Sequence, residues 1–461
     1  MWRYFALRRI GLAFIEMLLL ACCGLIGYLI YFAQFPSSTG EYFYVLGRAL
    51  VVSIVFQISL HLSDIYQFHG RRFSFKFIMR LLRAIVFAML AACVIFFLFP
   101  WLNVGRTVFA LNLILASLFG FLWHLTFSYY LLVRPPQTNL LVLGASNLAI
   151  AAVREILYRP GLGVKVVGFV TDDDSDNDDV SDVDARIIGN YDDFPNLVSE
   201  RGVNHIIVGL SDNRKKLPIE DLLNFKTKGL LIESAEDFYE RVAGKIPVEN
   251  LRPSWLVFNS GFNISKGVFL QKRILSVTLS IALLIITSPI LLLTMIAIKL
   301  DSKGPIFYKQ KRVGRNGVVF KLVKFRSMRQ NAEKATGPVW STQGNDSRVT
   351  RVGRFIRRMR IDELPQIYNV LRGDMDMVGP RPERPFFVDQ LSKEIPYYPL
   401  RHVVNPGISG WAQVRYGYAS QLEQTIEKLQ YDLFYIKNMS LTLDLMVIFE
   451  TIKTVLVRKG S

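Results

Sequence analysis

The adjacent carboxylates Asp362 and Glu363 carry the strongest chemical signal in the chain, because they follow a dense run of arginines. The basic side chains of this run are Arg348, Arg351, Arg354, Arg357, Arg358 and Arg360. Guanidinium groups match phosphate oxygens, whereas carboxylates repel phosphate unless a divalent cation lies between them. Mg²⁺ suits an oxygen site made of one or two carboxylates and a substrate phosphate. The pattern therefore predicts a site for a phosphate, Mg²⁺ and a carboxylate nucleophile.

A helix is predicted over residues 362–371, beginning at the carboxylate pair. Aspartate is a favoured N-cap residue, and Pro365 is tolerated in the first turn. The free amide groups of a helix N-terminus favour anions, so this helix would bring a phosphate to the carboxylates. Just upstream, Arg351, Arg354 and Arg357 recur every three residues and share one face if that stretch is helical.

Three further motifs could supply the same site, although each alone is also compatible with a plain packed turn or strand. Residues 320–328 predict a strand with Lys324 and Arg326 on one face. Residues 373–383 contain Arg381 between two prolines, which holds its backbone stiffly. The third motif, residues 405–414, is a glycine-rich turn that carries Trp411 and Gln413.

Composition limits the function classes. The chain has 461 residues, of which 51% are hydrophobic, and this length allows two or three domains. The net charge of +17 is uneven, with +8 in residues 1–137, −8 in 138–250 and +13 in 299–461. A basic domain beside apolar segments favours anionic lipid headgroups or phosphorylated substrates over nucleic acid. The three cysteines lie in apolar segments without a CxxC spacing, and the five histidines are scattered, so neither disulfides nor a zinc site is indicated.

Four apolar segments at 10–33, 42–62, 81–100 and 108–133 are each long enough to span a bilayer as a helix. The first is too long for a removable signal peptide and lacks a small-residue cleavage site. Arginines and lysines precede the first segment and fill the connection between the second and third. The positive-inside rule therefore predicts that both ends of this four-helix transmembrane bundle (1–137) face the cytoplasm.

Residues 138–250 alternate short apolar strands with helical stretches, which predicts a Rossmann-like, parallel α/β domain. Gly144 follows the first strand, but Ser146 and Ala149 depart from the glycine pattern of a dinucleotide-binding loop. A regulatory or scaffolding domain is therefore favoured over nucleotide binding. Eight aspartates in 172–184 lack the ligand order of a calcium loop and favour a solvated segment.

A linker at 251–270 leads to a fifth apolar segment, predicted as a membrane helix over 271–300, and then to the basic domain 301–461. Ser288 and Pro289 lie in the middle of this helix, where proline removes a hydrogen bond. A spanning helix would place the basic domain outside the cytoplasm, whereas a re-entrant helix keeps it inside, so the re-entrant form is favoured. The final segment, 441–457, is either an amphipathic helix on the membrane or a helix packed on the domain.

The ordered motifs KFRSM, DELPQ, GDM-x-x-VGPRPE, PGISGWAQV and YDLFYIKN resemble those of the bacterial polyprenyl-phosphate hexose-1-phosphate transferases. The resemblance is strong over 265–461, and the four apolar segments with an α/β domain resemble the long form of that family. The tail from Glu427 is similar to family members associated with exosortase-type exopolysaccharide loci.

The resemblance implies a mixed α/β catalytic domain that moves a hexose-1-phosphate from a UDP-sugar to undecaprenyl phosphate, with release of UMP and Mg²⁺ as cofactor. It also implies the cytoplasmic side of a bacterial inner membrane, exopolysaccharide priming and no nucleic acid partner; a homodimer stays open. Asp362 corresponds to the family nucleophile, Glu363 to the magnesium ligand, and the pair Ser288 and Pro289 to a break in the re-entrant helix. The implied phosphate-binding residues are Lys324, Arg326, Arg357 and Arg381. Weaker substrate-binding candidates are Gln366, Asp374, Glu383, Trp411 and Gln413.

One residue departs from the family pattern, since Arg360 stands where many members have serine. Two alternatives also stay open. A membrane-bound nucleotide-sugar dehydratase or epimerase would need an intact glycine fingerprint and a YxxxK motif, and the sequence contains no YxxxK. A non-catalytic scaffold for polysaccharide assembly would not need the carboxylate pair and its arginines at this spacing.

Overall fold

The structure is a computed structural model whose chain forms two compact units, Met1–Ala243 and Gly244–Ser461. It describes residues 2–32, 39–63, 65, 75–102, 106–133, 138–158, 163–172, 180, 183, 185–209, 218–248, 262, 264–329, 348–416 and 422–456. Most of the aspartate-rich segment and most of the predicted linker lie outside these residues.

The first unit opens with four long apolar helices: α1 (Trp2–Phe32), α2 (Thr39–Leu62), α3 (Phe75–Leu98) and α4 (Arg106–Val133). They pack around a shared core that includes Leu20, Phe56, Leu81 and Leu113. Polar side chains are also buried among these helices. One such pair is His124 and Glu16, whose Nε2 and Oε1 atoms lie 2.8 Å apart. Each helix contains a stretch long and apolar enough to cross a membrane.

The α/β part of the first unit is a parallel sheet of five strands in the order β3-β2-β1-β4-β5. Its strands are β1 (Thr138–Leu143), β2 (Val164–Val170), β3 (Ile187–Gly189), β4 (His205–Val208) and β5 (Leu231–Ser234). Its helices are α5 (Asn147–Leu157), α6 (Phe194–Glu200), α7 (Ile219–Thr227) and α8 (Ala235–Ala243). The predicted parallel α/β domain is confirmed. Central strand β1 is apolar on both faces because it is covered from both sides.

The second unit begins with α9 (Lys266–Asp301), a helix of 36 residues that carries the fifth apolar stretch. The backbone stays helical through Ser288 and Pro289, so the predicted break does not interrupt the helix, and a bend at this pair stays a prediction. Proline has no N–H for the carbonyl of Ile285, and the Ser288 hydroxyl donates to that carbonyl instead, at 2.8 Å. This substitute hydrogen bond explains why the helix is not interrupted there.

The remaining elements of the second unit are short and surround the motifs of the sequence analysis. The strands are β6 (Phe307–Val313), β7 (Val319–Phe325), β8 (Asp376–Val378) and β9 (Gly407–Ser409), paired as an antiparallel β6-β7 hairpin and a parallel β8-β9 pair. The helices are α10 (Arg351–Arg358), α11 (Gln366–Arg372), α12 (Pro385–Glu394), α13 (Trp411–Arg415), α14 (Leu422–Lys437) and α15 (Leu441–Leu456).

The final helix combines both arrangements predicted for it. Leu443 and Val447 of α15 are buried, so one face packs on the domain. Leu445, Phe449 and Ile452 are exposed on the opposite side. An exposed apolar stripe of this kind is typical of a helix at a membrane surface.

Gly353 allows α10 to pack directly on the chain that follows β7. A Cβ atom at this position would lie 1.9 Å from the carbonyl oxygen of Ser327, a backbone atom that cannot rotate away. The same helix carries Arg357, whose Nε donates to the Ser327 hydroxyl at 2.9 Å. The absence of a side chain at position 353 therefore sets the position of Arg357.

We expect Gly353→Ala to destabilise the second unit by about 1–3 kcal/mol, because α10 must move off the backbone beneath it. The midpoint of thermal unfolding in detergent measures this effect. Gly267→Ala is the matched control, since its Cβ would meet only Ser265 Oγ at 3.8 Å. Equal unfolding midpoints for the two variants would contradict the packing argument.

Candidate active site

The carboxylate pair lies in a single 3₁₀ turn, Ile361–Glu363, and not at the start of a helix. The predicted helix over 362–371 is wrong at its beginning, because α11 starts only at Gln366, with Pro365 at its N-cap. Arg360 precedes the turn with φ 57°, a left-handed conformation that is uncommon for residues other than glycine. The two carboxylates therefore lie before the helix and not within it, and each has different surroundings.

Glu363 is surrounded by cations. Its Oε1 atom accepts a hydrogen bond from Arg381 at 2.7 Å and from Lys324 Nζ at 3.2 Å, and Arg360 lies 3.8 Å away. Burial alone would raise the pKa of this carboxyl, but Arg381 and Lys324 offset that effect and hold its pKa well below the usual range. Glu363 is therefore ionised and fixed in place at any physiological pH.

Asp362 has the opposite character. Within the described part of the chain its Oδ1 atom is buried and has no hydrogen-bond partner. Burial and the neighbouring charge of Glu363 raise the pKa of Asp362 to about 6, and Lys324, Arg357 and Arg360 only partly offset them. An ionised carboxylate without a partner is a reactive group, because none of its lone pairs at Oδ1 is committed elsewhere.

Asn369 connects the strand of Lys324 to the helix that follows the carboxylates. It is fully buried, its Nδ2 donates to the carbonyl of Lys321 at 2.9 Å, and its Oδ1 accepts from Val323 N–H at 3.0 Å. The same Nδ2 atom donates to Asp374 Oδ2 at 3.1 Å. These contacts fix β7 against α11 and so set the approach of Lys324 to Glu363. Asp374, which the sequence predicts as a substrate-binding residue, is part of this hydrogen-bond network.

The predicted phosphate-binding residues fall into two groups. Lys324, Arg357 and Arg381 surround the carboxylate pair, since all three act on the charge of Asp362 or Glu363. Arg326 is buried instead at the C-terminal end of α9. Its terminal nitrogens donate to the carbonyls of Lys303 and Ser302 at 3.0 and 2.7 Å, so it caps a helix that would otherwise end in unpaired carbonyls.

The weaker substrate candidates are mostly committed to packing. Trp411 is only 1% exposed, and its indole N–H donates to the carbonyl of Gly244 at 2.8 Å, so no ring surface faces a substrate. Gln413 Nε2 donates to the carbonyl of Ile408 at 3.4 Å. Gln366 is buried at the first position of α11, and Glu383 lies 3.4 Å from Arg312. Contact of these side chains with a substrate stays a prediction.

Sequence reasoning missed the basic pair at the start of α9. Lys272 and Arg273 read as membrane-flanking charges, yet Lys272 is 2% exposed and donates to the carbonyl of Val378 at 2.6 Å. Arg273 donates to the carbonyls of Val370 and Leu371 at 2.5 and 2.8 Å, which caps the C-terminus of α11. No local pattern reveals such contacts, because the acceptors lie roughly a hundred residues further along the chain.

The donor set fits Mg²⁺ only with help from a ligand. Asp362 Oδ1 is a buried oxygen without a partner, and Glu363 offers an ionised carboxylate beside it. Among the described residues no group of three or more His, Cys, Asp or Glu is placed to hold a metal. Magnesium keeps several waters and commonly uses one or two carboxylates together with substrate phosphates. The pair therefore suits a magnesium ion that arrives with a phosphorylated substrate.

Comparison with known proteins decides the family. Residues 268–458 match a family profile described as "Bacterial sugar transferase", and residues 61–224 match one described as "CoA-binding domain". A UDP-glucose:undecaprenyl-phosphate glucose-1-phosphate transferase of Klebsiella pneumoniae is 30% identical over 455 residues, which are 94% of this chain and 93% of the relative. The chain belongs to the long-form polyprenyl-phosphate sugar transferases. The resemblance read from the motifs is thereby confirmed.

Other members of this sugar transferase family match mainly over part of their length. A UDP-N-acetylgalactosamine-undecaprenyl-phosphate N-acetylgalactosaminephosphotransferase of Aeromonas hydrophila is 44% identical over 223 residues, 48% of this chain and 51% of the relative. A UDP-glucose:undecaprenyl-phosphate glucose-1-phosphate transferase of Xanthomonas campestris is 40% identical over 245 residues, 53% of this chain and 48% of the relative. The match to these two relatives thus spans about half of their length.

The residues at the usual pyrophosphate position of a parallel α/β sheet can be identified in the α/β part. In parallel α/β sheets the pyrophosphate sits where the strand order reverses, here between β1 and β4. Gly209 lies at that position, in close contact with the start of α5. A Cβ atom on Gly209 would lie 2.4 Å from the Ala149 Cβ and 3.1 Å from the Ser146 hydroxyl. The Ser146 N–H is also used, since it donates to the carbonyl of Gly209 at 3.0 Å. Helix α5 and the end of β4 are therefore closely packed at this point, and the Ser146 N–H is already committed to a backbone carbonyl.

The two carboxylates predict opposite effects on stability. The pKa of Asp362 is raised from 3.8 to about 6 in the folded state, so its ionisation opposes folding increasingly between these two pH values and by a constant amount above them, and Asp362→Asn should stabilise by about 3 kcal/mol at pH 8. The pKa of Glu363 is depressed, so its charge stabilises the fold above its unfolded pKa, and Glu363→Gln should destabilise at pH 8. Thermal unfolding of the ligand-free protein with a chelator measures both.

The pH dependence distinguishes this account from a loss of packing. The gain from Asp362→Asn should shrink as the pH falls from 8 to 5, because the wild-type carboxyl then becomes protonated. A destabilised Asp362→Asn variant, or a gain that does not change with pH, would contradict the unpaired state of this carboxylate.

Proposed function

We propose that this chain is a phosphoglycosyl transferase that moves a hexose-1-phosphate from a UDP-sugar to undecaprenyl phosphate and so primes an exopolysaccharide. The observation that carries the proposal is the asymmetry of the carboxylate pair, with Glu363 bound by cations and Asp362 buried beside them without a partner at Oδ1. The printed names of the Klebsiella and Aeromonas relatives support both the donor and the acceptor class. A dehydratase, an epimerase or a scaffold would leave this arrangement unexplained.

In the first step, a carboxylate oxygen of Asp362 attacks the β-phosphorus of the donor. The new bond joins that oxygen to phosphorus, while the bond from phosphorus to the bridging oxygen breaks and UMP leaves with the electron pair. Lys324, Arg357 and Arg381 surround the site of attack and would neutralise the charge that the phosphoryl oxygens carry. Glu363 keeps Lys324 and Arg381 in place before the donor arrives.

In the second step, a phosphate oxygen of undecaprenyl phosphate attacks the same phosphorus. The bond to Asp362 breaks, which restores the carboxylate and releases a lipid diphosphate sugar. Splitting the transfer lets one site receive a soluble donor and a lipid acceptor in turn. Mg²⁺, when bound by Glu363 and the donor phosphates, would supply charge neutralisation and orientation of the diphosphate.

The re-entrant form of α9 is part of this proposal. Near its start, Lys272 and Arg273 bind backbone carbonyls of the second unit, and near its end Asp301 Oδ2 accepts from the N–H of Val352. A helix of 36 residues is about 54 Å long, well beyond the ~30 Å hydrocarbon core. A straight spanning helix could not keep both ends on one domain on one side, so the re-entrant form requires α9 to bend, and we place that bend at Pro289. The exposed apolar residues lie between these ends, for example Ile285, Ile286 and Leu293.

The remaining assignments follow from this geometry. A re-entrant α9 behind an even number of spans keeps the catalytic domain on the cytoplasmic side of a bacterial inner membrane, where nucleotide sugars are made. The strand order β3-β2-β1-β4-β5 supports a Rossmann-like domain in 138–250, with a regulatory or dimer-forming role in place of nucleotide binding. The domain limits 1–137, 138–250, 251–270, 271–300 and 301–461 stay part of the proposal.

The direct test measures UMP release from a panel of UDP-sugars by membranes that contain the protein, undecaprenyl phosphate and Mg²⁺. We expect release with one donor, abolished by chelation and reduced at least 10³-fold in Asp362→Asn, because a nucleophile is lost. Asp221→Asn, on α7 of the α/β part, is a matched control that should keep full activity. Equal release by wild type and Asp362→Asn would exclude the covalent mechanism, and a lack of release from every donor would exclude the transferase.

The rate should also depend on pH through Asp362. Because burial and Glu363 raise the pKa of this carboxyl to about 6, kcat/KM for the donor should fall about tenfold for each pH unit well below that value. Protonation removes the attacking lone pair while Glu363 remains ionised. A profile measured from pH 4.5 to 8.5 checks this, and a flat acid limb would contradict Asp362 as the free nucleophile.

A further inference from the structure

The turn around Arg381, residues 378–383, is poor in backbone hydrogen-bond donors because two of its six residues are prolines. Pro380 and Pro382 lack an N–H, and the Gly379 N–H is used by the carbonyl of Ser409 at 2.8 Å. The carbonyls of this turn nevertheless need partners, since much of it is buried. Its conformation must therefore be set by donors from other parts of the chain.

Three basic side chains from three separate elements supply most of these donors. Lys272 of α9, Arg312 of β6 and Arg401 of the 3₁₀ turn Tyr398–His402 each bind a backbone carbonyl of the turn. The distances are 2.6 Å from Lys272 to Val378, 2.9 Å from Arg312 to Pro382 and 3.1 Å from Arg401 to Arg381. Two backbone amides complete the set, from Gly407 to Pro380 at 3.0 Å and from Val313 to Glu383 at 2.9 Å.

Each of the three cations is itself oriented by acceptors. Arg401 is buried and donates to Asp432 at 2.7 Å and to the Tyr398 hydroxyl at 2.6 Å. The other two are oriented in the same way, Arg312 by Gln310 and Glu383, and Lys272 by Asp444 and Tyr435. Burying charged groups of this kind costs more than apolar packing of the same volume and is weak evidence for stability alone. The effect of the three cations is instead to fix the turn by contacts from three different elements.

We propose that Lys272, Arg312 and Arg401 are positioning residues that fix the backbone on either side of Arg381. The guanidinium of Arg381 then meets Glu363 and, in the reaction proposed above on which this inference rests, the phosphates of the donor. All three act through Arg381 and none needs to touch a substrate. Glu383, expected from the sequence to contact the substrate, belongs to this support through Arg312.

Arg401→Lys is the most informative variant. Lysine keeps a positive charge beside Asp432 but cannot reach the carboxylate, the Tyr398 hydroxyl and the Arg381 carbonyl with one planar group. We expect kcat/KM for the donor to fall about 10–100-fold, since small displacements of an active-site group cost this much. Arg241→Ala, which removes the pair of Arg241 with Glu233 from the α/β part, should lower stability without changing kcat/KM.

A double-variant cycle distinguishes positioning from general stabilisation. If Arg401 acts through Arg381, Arg401→Lys should cost less than threefold in kcat/KM when Arg381 is already alanine. The same 10–100-fold loss in both backgrounds would overturn the proposal. An Arg401→Lys enzyme with wild-type kcat/KM would overturn it as well.

Hydrogen exchange gives a readout that does not depend on the reaction. Arg401→Lys and Arg312→Lys should each speed amide exchange in the peptide 376–384 at least tenfold while leaving peptides of the α/β sheet unchanged. Unchanged exchange in 376–384 would show that these cations do not hold the turn. If wild type releases no UMP but exchange behaves as expected, the proposed function fails while the three cations still hold the turn around Arg381.

Discussion

The neutralisation of Glu363 by Arg381 and Lys324 is the interaction on which the rest of the site depends. Burying the Glu363 carboxylate is strongly unfavourable unless cations contact it. Those cations are the same groups that a bound phosphate would need. Asp362 sits next to this saturated pair and gains little from it, so its own charge stays costly. The fold thus keeps an electrostatic cost at one residue, which a bound cation would offset. Stability is given up at the position where reactivity is required.

Much of this architecture was predictable from sequence because it rests on local patterns. Apolar length predicted α1–α4 and α9, and the alternation of strands and helices predicted the parallel sheet with β1 at its centre. The carboxylate pair and its neighbours Lys324, Arg357 and Arg381 were found from residue types and spacing. The predictions failed where a distant contact overrides a local preference. Asp362 is a good N-cap by type, yet the left-handed backbone at Arg360 turns the chain before a helix can begin.

The same reason explains which residues escaped notice or were given another role. Lys272 reads as a charge flanking a membrane helix, Arg326 as a phosphate ligand and Trp411 as a weaker substrate-binding candidate. In each case the side chain donates a hydrogen bond to a main-chain carbonyl, and the spacing of residues along the sequence does not predict which carbonyl that is. Cation-to-carbonyl bonds recur throughout the second unit, because its elements are short and leave many chain ends whose carbonyls need partners. The unit is held together by charged side chains acting on backbone as much as by an apolar core.

Helix α9 joins its two ends to one domain, and this has a mechanical consequence. A membrane helix of fixed length normally responds to a thicker or thinner bilayer by tilting. Here tilting would pull on Lys272 and Arg273 at one end and on Asp301 at the other, each of which binds backbone of the second unit. A change in bilayer thickness would therefore pull on the second unit. The force would be transmitted through these side chains and would not be taken up by a flexible hinge. The lipid surrounding α9 would be a determinant of turnover as well as the solvent for the acceptor.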